Sequence, residues 1–290
     1  MIQPGFVFIN KPPGITSYDV IRKLKKQIPA KMGHTGTLDP IATGLLIIAV
    51  GRATKFIEFF HQLPKEYIAT IKLGVETDTL DIEGQETARD PEFRLKREEL
   101  EKALEKFRGK IQQVPPKFSA KRVKGQRAYE LARRGEEFQL KPKEVELYEY
   151  QLLNVNEEEN EFTILLRVST GFFVRSFARD VARELGTYGI IRILVRTAIG
   201  PFTVDEARSL EEEPEIKPIE EVLGRFLPKV TIDRRFVKLY INGGVVQPEE
   251  VDLLDELEGK FVMVYSDGKF LGVGKITDGR VKSEKLVFVR

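Results

Sequence analysis

The sequence predicts an α+β fold followed by a small all-β module, and three observations carry that prediction. Strand-like and amphipathic helical runs are interleaved without strict alternation, which argues against a doubly wound α/β sheet. The acidic turn "NEEEN" at 156–160 separates two long apolar runs, the pattern of a hairpin. After Pro228 the texture changes to short apolar runs punctuated by Asp267-Gly268 and Asp278-Gly279, and Asp-Gly between apolar runs is a strong hairpin signal. At 290 residues the chain is also longer than one ordinary domain. The division falls at 1–228 and 229–290, and the second piece is small enough to be marginal alone.

The elements follow in order. "GFVFINKP" reads as a strand stopped by Pro12 and Pro13, with Gly14 completing a turn. Thr16 and Ser17 offer helix caps, and Asp19 lies three residues after Thr16, as in a capping box. Val20, Ile21, Leu24 and Ile28 share one face of a helix that ends before Pro29. A strand is expected from Leu45 to Val50, a helix over "ATKFIEFFHQL" with His61 near its end, and a strand over "EYIATIKLG". "LKREELEKALEKF", from Leu95 to Phe107, is a long amphipathic helix with Gly109 near its C-terminal cap. "VELYEYQLLNV" and "EFTILLRVST" form the hairpin, and "VRSFARDVARELG" a further helix closed by Gly186. "EEEPEIKP" at 211–218 reads as a connector, and "FVMVYS", "KFLGVGKI" and "KLVFV" are the strands of the tail.

Composition excludes several chemistries. Without cysteine there are no disulfides or thiolate metal sites, and two histidines, His34 and His61, do not make a histidine-rich one. No metal site is expected, since no acidic cluster suggests one. No stretch is long and apolar enough to span a membrane, and the start lacks the basic and apolar pattern of a secretory signal, so a cytoplasmic protein is expected. The net charge of +2 does not advertise a nucleic-acid binder, but its distribution does. Residues 110–143 carry ten Lys or Arg against three Glu, together with Phe118 and Tyr129, which suit stacking on bases. Paired prolines and Gly125 suggest an exposed loop leading into a short helix. A concentrated excess of this kind fits phosphate contacts, and RNA fits better than duplex DNA, because no helix-turn-helix or zinc motif accompanies it.

"GHTGTLDP", residues 33–40, poses the functional question. Asp39 before Pro40 reads either as a helix cap or as a carboxylate presented for catalysis. "GHTGTLDPIATGLL" resembles the catalytic motif of the bacterial tRNA pseudouridine synthase B family, and the resemblance extends in order along nearly the whole chain. "NKPPGITSYDV", "KEYIATIKLGVETDTLDIEG", "VPPKFSAKRVKGQRAYELARRG", "GFFVRSFARDVARELG" and "LVRTAIGPF" are all similar to that family, and the tail is similar to a PUA domain, an RNA-binding β module.

The resemblance implies the pseudouridine synthase fold, a mixed and mainly antiparallel sheet with flanking helices. It implies isomerisation of uridine 55 in the T-loop of tRNA to pseudouridine by a stand-alone, monomeric enzyme that needs no cofactor. Asp39 would be the reacting carboxylate, suited to a step with oxocarbenium-like character. Arg175 would orient it and keep it ionised, and Tyr67 would stack on the uracil and help move the proton. Leu194 would close the pocket, His34 would stand beside the flipped nucleotides, and Lys11 would line the site. Lys121, Arg122, Lys124, Arg127 and Tyr129 would grip the T-arm. The family commonly has a tyrosine two residues before the arginine, where this chain has Phe173. Two other readings are a catalytic subunit of a guide-RNA particle and a tRNA-binding or tRNA-folding protein. The basic 110–143 segment argues against the first, and an intact Asp39, Tyr67 and Arg175 against the second.

Overall fold

The computed structural model describes residues 2–119, 122–123, 126–128, 131, 134–136, 138–249 and 254–287. Strand β1 (Gly5–Lys11) ends before the paired prolines, and the helix Ser17–Leu24 follows. Its capping box forms: Thr16 Oγ1 accepts from the Asp19 N–H at 3.1 Å, and Asp19 Oδ2 accepts from the Thr16 N–H at 2.9 Å. The helix stops at Leu24 and not at Ile28. Pro29 disfavours a helical residue before it, and the N–H groups of both Gln27 and Ile28 turn back to the Leu24 carbonyl.

After β2 (Met32–His34) and β3 (Thr43–Val50), residues Gly51–Gln62 form a 3-10 helix where an α-helix was expected. Its spacing explains the difference. Ala53, Phe56 and Phe59 are buried at intervals of three, one per turn of a threefold helix. Lys65 closes its end, donating to the carbonyls of Phe60, His61 and Leu63 at 3.4, 3.3 and 2.6 Å. Then come β4 (Lys65–Leu73), the hairpin β5 (Val75–Thr77) and β6 (Glu86–Arg89), and the helix Arg97–Glu105.

The basic segment begins and ends in strands rather than loop: β7 (Gly109–Gln113) pairs with the start of β10 (Lys143–Asn156). Between them, the backbones of β8 (Arg122–Val123) and β9 (Gln126–Arg127) pair antiparallel. The hairpin of β10 with β11 (Glu161–Val168) forms as expected, and so does the helix Val174–Glu184.

Strand β12 (Gly189–Ile199) was not foreseen. Arg192 and Arg196 interrupt its apolar run, and two register shifts break its alternation. It is nevertheless central. Among the described residues, eleven strands form one sheet in the order β14-β1-β3-β12-β4-β11-β10-β7, where β14 is Arg208–Ser209. β13 (Phe202–Thr203) pairs with β12, β15 (Lys217–Pro218) with β1, and β2 with β3. Thus the segment read as a connector ends in a strand. The pairs β1–β14 and β3–β12 are parallel and the others antiparallel, the mixed and mainly antiparallel sheet expected.

The tail forms a second sheet, β16-β18-β19-β20-β17, from β16 (Lys229–Thr231), β17 (Val245–Val246), β18 (Phe261–Ser266), β19 (Lys269–Thr277) and β20 (Arg280–Leu286). β20 starts before the "KLVFV" run because Asp278 and Gly279, both at positive φ, turn the chain directly into it. Short helices at Val237–Ile241 and Leu254–Leu257 accompany these strands. The two sheets share a core: Met263 and Val273 are buried with Phe56 and Phe59, and the Phe59 and Phe261 rings meet at 4.9 Å. On the opposite face of the large sheet, Phe177, Ala178 and Val181 bury the 174–184 helix against Ile71 and Ile164. Removing the Phe177 ring would cost about 3–5 kcal/mol. That packing fixes the helix whose first turn carries Arg175.

Candidate active site

The loop before β3 is fixed from below. Ser17 Oγ accepts from the Leu38 N–H at 2.8 Å and donates to the Leu38 carbonyl at 3.1 Å. Lys11 is fully buried, and its Nζ donates to the carbonyls of Pro12, Ile15 and Pro40 at 2.9, 2.7 and 3.1 Å. Burial pulls its pKa down to about 8, with the charge of Asp39 opposing the shift. The chain then enters β3 directly: the Ala42 N–H returns to the Asp39 carbonyl at 3.1 Å, and no helix starts at Pro40. The capping interpretation of Asp39 therefore fails.

Its carboxylate instead meets Arg175. Oδ2 lies 2.9 Å from Nε, with the Asp39 side chain 35% exposed and that of Arg175 only 6%. The remaining guanidinium nitrogens are also engaged. Nη1 donates to the Thr79 carbonyl at 2.8 Å and lies 3.5 Å from Asp81 Oδ2, and Nη2 donates to the Phe118 carbonyl at 2.9 Å. An arginine in the first turn of a helix opposes the helix dipole, and two carboxylates offset that misfit here. Burial pushes the Asp81 carboxyl above its ordinary range, opposed by the Thr79 hydroxyl at 2.7 Å and by Arg175. Between Thr79 and Asp81, Leu80 adopts φ +63°, uncommon for a side-chain-bearing residue and typical of functional sites. This bend lets the Thr79 carbonyl and the Asp81 carboxylate reach one guanidinium.

Asp39 and Arg175 line a pocket of about 150 Å³ together with Tyr67, Leu194, Phe173 and Ser119. Tyr67 lies on β4 opposite Arg196 of β12, and Leu194 precedes that arginine by two on the same strand. The structure thus gathers four of the expected residues, and Phe173 lines the wall in place of the tyrosine. Its main chain is fixed by Gln113, which accepts from the Phe173 N–H at 2.9 Å.

The other expected residues lie elsewhere. Lys11 sits beneath the loop and does not line the pocket; its donors go to main-chain carbonyls, so a substrate contact gives way to loop support. His34 is on β2 beside Ile48, outside the pocket lining. Burial, helped by the charge of Arg196, lowers its pKa, and its buried Nδ1 has no hydrogen-bond partner among the described residues. Lys121, Lys124 and Tyr129 lie outside the described residues, and Arg122 and Arg127 are described through their backbones. A larger groove of about 810 Å³ runs past Leu80, Phe118, Phe138, Arg179 and Arg183. Among the described residues, no group of three or more His, Asp or Glu side chains could hold a metal ion.

Sequence reasoning missed Asp81, Ser119 and Arg196. The acidic "DTLD" stretch inside a resembling motif was a usable signal for Asp81; the burial of a serine and an arginine carries no comparable signal.

Solved structures share this architecture. The chain superposes on a Cbf5-Nop10-Gar1 complex with a TM-score of 0.72 at 23% identity, covering 97% of this chain and 84% of that one. An H/ACA ribonucleoprotein bound to a substrate RNA containing 2'-deoxyuridine gives 0.71 at 22% identity, covering 99% and 86%. These likenesses show the fold, and a family model matched by more than half of the chain gives its class, that of the pseudouridylate synthases.

The sequence then narrows the class. Residues 22–174 match the TruB family pseudouridylate synthase N-terminal domain, and residues 228–287 match the pseudouridine synthase II TruB C-terminal domain. The tRNA pseudouridine synthase B of Aquifex aeolicus is 42% identical over 98% of this chain and 99% of its own length. That of Clostridium tetani is 36% identical over 98% and 99%, and that of Francisella philomiragia 39% over 97% and 94%. The chain belongs to the TruB family of pseudouridylate synthases.

Proposed function

We propose that this chain is a stand-alone tRNA pseudouridine synthase that isomerises uridine 55 of the T-loop. The observation that supports this most is the Asp39 carboxylate, paired with Arg175 at 2.9 Å in a pocket walled by Tyr67 and Leu194. Isomerisation breaks the N1–C1' bond, turns the base and forms C5–C1'. The proton lost from C5 is balanced by the one gained at N1, so the product has the atoms of the substrate. Positive character develops on the ribose as the base departs, and an ionised Asp39 within reach of C1' opposes it.

Arg175 holds that carboxylate aimed into the pocket, with Nε 2.9 Å from Oδ2. Tyr67 offers a face for the base, and Leu194 closes over it. The uridine must leave its stack to enter, at a cost of a few kcal/mol, and phosphate contacts from the basic 110–143 segment offset that cost. In this reading residues 1–228 are the catalytic domain and 229–290 a PUA domain that binds RNA. The enzyme works as a cytoplasmic monomer on the T-arm.

The test is incubation with a T-arm hairpin of ~17 nucleotides, long enough to stack as an A-form stem, without guide RNA and with an assay for pseudouridine. Product from the wild type and none from Asp39→Ala, with binding retained, is the expected result. No product from the wild type would sink the stand-alone reading, and binding without chemistry would favour a tRNA-folding role. Full product from Asp39→Ala would remove Asp39 from the mechanism.

A further inference from the structure

Among the described residues Arg196 is one of the largest fully buried side chains, 1% exposed, and no carboxylate is paired with it there. Its guanidinium is spent on main-chain carbonyls. Nε donates to Leu45 at 2.8 Å, Nη2 to Gly36 at 3.0 Å and Nη1 to Thr37 at 3.4 Å. Two of these acceptors lie in the loop just before Asp39, and the third lies on the strand just after it. One rigid fork therefore spans the loop from both sides, a geometry that the single point charge of a lysine does not reproduce.

The main chain of Arg196 is fixed as well. It pairs with Tyr67 on one side and with Gly44 on the other. Gly44 sits at φ +99°, and a Cβ there would fall 2.3 Å from the Arg196 carbonyl oxygen, so only glycine admits this approach. An unpaired buried guanidinium is costly, and three main-chain acceptors repay only part of that cost. Its field reaches the neighbours too: it contributes to lowering the pKa values of His34, Lys11 and Lys65. A protein seeking stability alone would place an apolar side chain here.

We propose that Arg196 is a positioning residue for the reaction, holding the Gly36 and Thr37 carbonyls inward so that the following Asp39 side chain is presented to the pocket. The proposal rests on the functional reading above, since it needs Asp39 to be the reacting carboxylate. It goes beyond that reading in assigning the geometry of Asp39 to a residue that touches neither Asp39 nor substrate. Leu194 and Arg196, two apart on β12, divide the work between the pocket wall and the support beneath the loop.

The experiment compares wild type, Arg196→Lys and Arg196→Met in three measurements: thermal unfolding, T-arm binding, and single-turnover pseudouridine formation at saturating RNA. A shift of about 1 Å in a reacting group can cost about 100-fold in rate. Arg196→Lys is therefore expected to stay folded, to bind RNA within about threefold of wild type, and to react about 100-fold more slowly. Amide hydrogen exchange over 35–42 should quicken at least tenfold, on the scale of ~1.4 kcal/mol, while exchange in β4 is unchanged. A folded Arg196→Lys variant with wild-type rate and unchanged exchange overturns the proposal. So does failure of both variants to fold, because Arg196 would then be a determinant of the fold. Failure of the wild type to form pseudouridine, with exchange quickened in the variant, would count against the functional reading and leave the loop support standing.

Discussion

Two irregular segments meet at Arg175, and they are held in opposite ways. Residues 36–40 rest on buried side chains from three elements: Lys11 from β1, Ser17 from the first helix and Arg196 from β12. Residues 114–119 are tied mainly at their base, where Ser176 Oγ and Arg179 Nη2 both donate to the Val114 carbonyl at 2.8 and 3.0 Å. Arg175 takes a carboxylate from the first segment and the Phe118 carbonyl from the second. The contrast follows from what each segment carries. In the proposed function Asp39 would act at bonding distance, where position decides the rate. The basic stretch would act on phosphates through charge, which falls off over about 8–10 Å and tolerates imprecise placement.

The largest expected effect tests the fixed segment. Asp39→Asn keeps the shape but removes the charge that faces Arg175, and single-turnover pseudouridine formation should fall at least ~10³-fold, the scale on which loss of an essential reacting group acts. Thermal unfolding should change little, because Asn keeps an acceptor oxygen for Arg175 and the buried guanidinium retains Asp81 and two main-chain carbonyls. A loss under tenfold would break the contrast. The next effect tests the basic segment. Replacing both Arg122 and Arg127 by Glu should weaken T-arm binding by about 10-fold or more and reduce the slope of log affinity against log salt by about two. The rate at saturating RNA should stay within about threefold. A rate loss without a change in salt slope would mean that this segment, too, works by position.

A smaller effect comes from pH, because Lys11 holds its proton only up to about pH 8. Below pH 8 the folded and unfolded lysine are both charged, and the burial cost is fully present. Between 8 and the ordinary 10.5 the folded side chain is neutral and the unfolded one charged. The unfolded state then binds more protons, so stability rises with pH across that window. Lys65, also lowered to about 8 by burial, adds to the same rise. Activity should run the other way, since a neutral amine has two N–H donors for three carbonyls. A roughly threefold fall in rate between pH 7.5 and 8.5 is expected from a pKa near 8, and Lys11→Arg should remove it. An alkaline fall that persists in Lys11→Arg would dissociate it from Lys11.

The fixed segment was legible in the sequence only from above. Glycines, Asp39 and Pro40 announced a constrained loop, and Arg175 and Tyr67 became visible once the matched motifs named them. What lies beneath was hidden, because sequence patterns put lysine and arginine outside. Lys11 and Arg196 are inside, satisfied by carbonyls that every residue possesses and that no residue type advertises. The same two-way reading hid β12: Arg196 is buried while Arg192 pairs with Glu161 at 2.6 Å, so one residue type serves both faces of a central strand. The 3-10 helix escaped for a different reason, since spacings of three and four are mixed in "ATKFIEFFHQL" and only packing chooses between them.

A further small effect concerns Ser119, which belongs to the second segment but faces the pocket of the first. Its hydroxyl is buried and has no hydrogen-bond partner among the described residues. A buried hydroxyl left unpaired costs stability, so Ser119→Ala should leave the melting temperature of the free protein unchanged or slightly raised. A base or ribose edge in the pocket would supply the missing partner, and a neutral hydrogen bond contributes about 0.5–1.5 kcal/mol. The variant should therefore lose about 3–10-fold in kcat/KM while gaining or holding stability. The opposite signs matter, because a merely structural serine would move both quantities down together. A variant with unchanged kcat/KM would confine the basic segment to phosphate contacts. A loss in kcat/KM at constant or higher stability would make it a wall of the reaction site that closes on the base as well as a grip on the backbone.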